Sequence, residues 1–206
     1  MMTVWHDGSK SNLRRVWKVA ILDKTVDAGQ EENGGAGPMR AAVLRALAEC
    51  AQKRGVGGTR GLELLRAGEA ETVGYFRYVL AREVSAFAGG QDPTLHSVYM
   101  ADLERNGDVE PSLRSVITLI PVVEEETAAG ASLWDWIDER VTAEVKTLLG
   151  ADVFEMGSLL DVHLVTEAQI KERSGFAALI GSLHTPALCV WAKPSPAKAS
   201  AAKPSA

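Results

Sequence analysis

The chain has 206 residues, 46% hydrophobic and 24% charged, with 22 Lys+Arg against 27 Asp+Glu and a formal net charge of −5. These figures fit one domain or two small ones and exclude a wholly disordered chain, a collagen-like repeat and a small disulfide scaffold. They also lack the basic excess with which duplex-binding proteins neutralise phosphate, so no strong nucleic-acid signature is present.

The opening Met1-Met2-Thr3-Val4-Trp5-His6-Asp7 has no basic region leading into an apolar stretch, so no secretory signal is expected. No window approaches the roughly 18 apolar residues of a membrane span. Thr3-Val4-Trp5, Val16 to Leu22 and Thr25 to Gly29 suggest a short antiparallel meander. The polar loop Gln30 to Gly37 leads to Pro38, well placed at the first position of a helix that ends at Lys53-Arg54 with Gly55 as its cap.

Gly55 to Gly61 reads as a flexible linker, because the Lys-Ser/Thr of a phosphate-binding loop is missing. A second helical region spans about Leu62 to Ala88, with a break expected near Gly68. Val73, Phe76, Leu80, Val84 and Phe87 share its apolar face, and Tyr75, Tyr78 and Arg82 flank it as the edge of a core. Gly89 to Pro93 should end this helix.

Ser97 to Arg105, Asn106-Gly107 and Asp108 to Val123 predict a hairpin with a type I′ turn. That register pairs Arg105 with Asp108 and Asp102 with Pro111. The acidic run Glu124-Glu125-Glu126 is a solvated strand end or loop. Ser132 is the expected N-cap of a helix whose apolar face is Trp134, Ile137, Val141, Val145 and Leu148, with Gly150 at its end. Trp136 falls off that stripe. Leu159 to Val165 predicts a strand, Thr166 to Gln169 a capping box opening a helix to about Ser182, and Ala187 to Ala192 a last strand.

The sum is an α+β fold, a largely antiparallel sheet packed with about four helices, spanning residues 1–192 as one domain. Residues 193–206, KPSPAKASAAKPSA, have no side chain larger than Ala to bury apart from Lys and Pro and predict a disordered tail. Its three lysines give it +3 and leave residues 1–192 at −8 within the total of −5.

Chemistry-bearing motifs are sparse. His6, His96, His163 and His184 are scattered, without the spacing of a zinc site. No G-x-S-x-G is present, and Cys50 and Cys189 both read as small buried hydrophobes, so no cofactor is expected and the cytoplasm is the expected location. The leading expectation is a non-enzymatic protein-binding or assembly module, acting through a helix face or sheet edge on a protein partner or another copy of itself. Trp136 is its candidate anchor, since aromatic residues dominate interface hot spots.

One set of acids supports an alternative. Asp7, Asp102 and Asp161 each sit on or at the end of an expected strand, and two-metal phosphoryl transfer needs carboxylates converging from neighbouring strands. Asp7-Gly8-Ser9 on a first strand, two further strands and an Ala/Leu-rich helix together resemble the start of ribonuclease H-like folds over about the first 54 residues. That resemblance implies a metal-dependent nuclease using Mg²⁺, with Asp7 and Asp102 holding the metal and Asp161 assisting. The sequence departs from the family where a catalytic Glu is expected early in the helix and Met39-Arg40-Ala41-Ala42 stands instead.

Overall fold

A computed structural model describes residues 37–101, 112–150, 157–184 and 186–194, all within a unit that starts at Ala36. The expected N-terminal meander, Asp7, Asp102, the Asn106-Gly107 turn and residues 195–206 lie outside the described residues.

Helix α1 (Pro38–Lys53) begins on Pro38, whose missing N–H falls in the first turn, where no intrahelical acceptor exists. It ends in a Schellman motif: Val56 N donates to Ala51 O at 2.9 Å, Gly55 N donates to Gln52 O at 3.0 Å, and Gly55 takes φ +65°. The expected linker is instead mostly helical, as α2 (Gly58–Arg66). Two glycines within it cost about 1 kcal/mol each in propensity. Burial of Leu65 opposes that cost, and Gly61 gives close contact, since a Cβ there would stand 3.0 Å from Ala51 Cβ. Gly68, at φ +71°, closes α2 as expected.

Helix α3 (Ala70–Gln91) is capped by Glu69, which accepts from Thr72 N at 2.8 Å, and buries Val73, Phe76, Leu80 and Val84. It ends at Gln91 with Asp92 as its C-cap, within the expected Gly89–Pro93 segment. The helix α4 (Ala128–Leu149) starts earlier than Ser132, because Thr127 Oγ1 accepts from Gly130 N at 3.0 Å and supplies the cap. Its face is as expected, with Trp134, Ile137, Val141 and Val145 buried, and Gly150 follows it at φ +95°.

Strands β1 (Leu95–Ala101), β2 (Ile117–Val123), β3 (Leu160–Val162), β4 (Val165–Thr166) and β5 (Leu188–Ala192) form one mixed, mostly antiparallel sheet. The order is β3-β2-β1-β5, with β4 also on β2. β1 and β2 are antiparallel as predicted, but in another register: Ala101 faces Thr118, not Ser112. Arg77 on α3 explains the difference. Its guanidinium, on a residue only 5% exposed, donates to the carbonyl oxygens of Ser112 at 2.7 Å, Ser115 at 2.6 Å and Val116 at 2.8 Å. Those carbonyls turn toward α3 instead of entering the ladder with β1.

β3 and β4 are one parallel strand with a gap. Leu119 pairs with Val162 and Val122 with Val165, so the register carries across His163 and Leu164. His163 N donates to Leu119 O at 2.9 Å, and the next donor of β2 on that side belongs to residue 121. Pro121 has no N–H to give, and the ladder is interrupted there.

Every residue of β2 is buried because both faces of the sheet are covered. Ile117, Leu119 and Val123 join the main core with α1, α3 and α4. Ile120 and Val122 join a second cluster with Val165 of β4, Ile170 of α5 (Glu167–Glu172), Phe176, and Ala177 and Leu179 of α6 (Ala177–Ile180). The capping box at Thr166 and Gln169 forms as predicted. A single helix to Ser182 does not, since Arg173 and Gly175 take left-handed φ of 53° and 52° and break it. Lys193, first residue of the basic tail, is tied to the fold by its N–H to His96 O at 2.8 Å and its Nζ to Pro93 O at 2.6 Å.

Candidate functional site

Of the three aspartates proposed for metal chemistry, only Asp161 is among the described residues. It stands on β3 opposite Thr118, with Oδ2 2.9 Å from His163 Nε2. Despite that distance, this nitrogen is buried without a hydrogen bond. The ring is fixed instead by stacking on Phe176, at 3.4 Å between centroids and 8° between planes. Among the described residues no group of three or more His, Cys, Asp or Glu is placed to hold a metal ion.

Trp136 is 37% exposed on α4 and off the buried stripe, as its position in the sequence implies. One of its faces is already used: it stacks on Phe87 of α3 at 5.8 Å and 27°.

Cys50 is buried, and burial, helped by the charge of Glu49 and opposed by Lys53, pushes its thiol pKa up to about 12. Cys189 is exposed, contrary to the expectation of a buried thiol, because it lies on β5 at a margin of the sheet. Both thiols are free.

Between α1 and α3, Glu49 accepts from Arg82 Nη2 at 2.6 Å and from the Tyr75 hydroxyl at 2.8 Å. Arg82 also reaches Glu83 at 3.0 Å, and Glu83 reaches Arg45 at 2.6 Å. The Arg82 guanidinium first, and then the Tyr75 hydroxyl, hold the Glu49 carboxyl below its ordinary pKa. Every member of this network has a partner, so it is a clasp between helices with no free group aimed at a substrate.

Among the described residues two surfaces remain open. One is the outer side of β5. Among the described residues β5 pairs only with β1; Leu188 is 54% exposed and Cys189 exposed, while a bulge next to Val98 brings Val190 and Trp191 onto the main core. The other is a cavity of about 510 Å³ beside the β3/β4 gap, walled by residues of α4, α5 and the turn before α6. The expectation of a sheet edge did not locate β5, and no sequence pattern flagged the cavity, since both arise where strands end or break.

Comparison of the chain with protein-family models, curated proteins and solved structures finds no match. Among the described residues no helix is long and apolar enough to cross a membrane.

Proposed function

We propose that the chain is a non-enzymatic protein-binding module that takes up an extended segment of a partner protein along β5. The reading is supported by the composition of that strand at its margin. Leu188-Cys189-Val190-Trp191-Ala192 contains neither charge nor proline, the two devices that most often prevent an edge strand from pairing further. A partner strand would satisfy its outward backbone groups and cover Leu188, as in strand addition to other sheet edges. A helix face at Trp136 has less open apolar surface, because Phe87 covers part of it.

Panning a displayed peptide library on the purified chain tests the proposal. Enriched peptides should slow amide exchange across Leu188–Ala192, and Leu188→Lys should abolish their binding without lowering Tm. Enriched peptides that leave β5 exchange unchanged, or no enrichment at all, would overturn it.

A further inference from the structure

Independently of the strand-edge reading, the cavity at the β3/β4 gap has a defined chemistry. Its volume of about 510 Å³ lies in the range of small-molecule sites, about 300–1,000 Å³. His163 and Phe176 contribute aromatic walls, and among the described lining residues Glu126 and Asp135 are the only carboxylates and there is no lysine or arginine.

Glu126 is held in place there. Gln169, locked by the α5 capping box through Thr166 N to its Oε1 at 2.7 Å, donates from Nε2 to Glu126 Oε1 at 2.9 Å. The Phe176 ring is fixed by its stack with His163. A cleft with positioned aromatic groups and two carboxylates uncompensated by a lining cation repels anions and favours a cation with an apolar body.

We propose that this cavity binds a small organic amine in its protonated form, its ammonium toward Glu126 and Asp135 and its apolar body against Phe176. Titration calorimetry on the full chain tests it, with three amine probes (tryptamine, phenethylamine and agmatine) and the anion indole-3-acetate. At least one amine should saturate at one site, with indole-3-acetate at least tenfold weaker. Glu126→Gln and Asp135→Asn should each weaken that amine about tenfold, as expected for loss of a charged partner. Both positions are exposed, so Tm should not move. Saturation by none of the amines, indole-3-acetate binding as tightly, or affinity unchanged in both variants would each overturn the proposal.

Discussion

The Trp191 indole occupies the place of the Cβ that residue 89 does not have: a Cβ built on Gly89 would lie 2.1 Å from Trp191 Cζ2. The neighbouring Gly90 has nothing within 4 Å of the same position. The two glycines, adjacent on α3, should therefore respond oppositely to alanine. Gly90→Ala should stabilise by about 0.5–1 kcal/mol through helix propensity. Gly89→Ala gains the same but must displace a rigid ring, which costs about 1–3 kcal/mol or more, so its net effect is destabilising. Urea denaturation of both variants checks this, and equal, benign effects would show that Trp191 does not pack on α3.

Asp138 joins α4 to the start of β3. Its Oδ1 accepts from Leu159 N at 3.0 Å, Leu160 N at 2.8 Å and Thr142 Oγ1 at 3.1 Å, and its Oδ2 accepts from Ser158 Oγ at 2.7 Å. Asp138→Ala takes the acceptor from Leu160 N, while Leu159 N keeps Thr142 Oγ1 at 3.0 Å and Ser158 Oγ keeps Leu160 O at 2.7 Å, and should cost about 1–3 kcal/mol. Asp138→Asn keeps one oxygen and should cost less. If both variants unfold at the wild-type denaturant midpoint, this carboxylate does not hold β3.

Much of this architecture is legible in periodicity. The α3 and α4 stripes, the cap at Thr166 and the breaks at Gly68 and Gly150 follow from local rules, since each depends on residues within a turn or two. The misreadings share a different cause. Arg77 alters the β1–β2 register from 35 or more residues away, and burial of Leu65 makes a glycine-rich stretch helical. These are long-range contacts, and no local window contains both partners. The cavity escapes for the same reason, since Glu126, His163 and Phe176, far apart in sequence, come together only in the fold.

Glu49 makes stability depend on acid. Arg82 and then Tyr75 hold its carboxyl below the usual value, so its contribution is complete above the unfolded glutamate pKa of about 4.3 and is lost as pH falls through the lower folded value. Both partners are about one-third exposed, and solvent screening limits such a pair to about 0.2–1 kcal/mol. Glu49→Gln should lower Tm by a few degrees at pH 7, and the gap to wild type should close as pH drops below 4. A gap independent of pH would remove the charge from the explanation.

Trp136 sits between interface and core. Loss of its stack on Phe87 should cost about 0.5–1.5 kcal/mol, so Trp136→Ala should lower Tm by a few degrees, more than a freely solvated side chain would. A drop of more than about 10 °C would make Trp136 core. No drop would mean that the stack with Phe87 is not maintained in solution.

The two thiols report on both the helix layer and the proposed interface. At pH 8 a thiol with a pKa near 12 is ionised in about one part in ten thousand, and Cys50 is also sealed between helices, so iodoacetamide should not modify it in the native chain. Cys189 is exposed and should react, giving one adduct by mass spectrometry and two only after denaturation. Native modification of Cys50 would show that α1 opens. Protection of Cys189 would show that β5 is already covered. If that protection grows with protein concentration, the covering strand comes from a second copy of the chain; if it is independent of concentration, β5 is covered within one chain and the strand-addition reading loses its open edge.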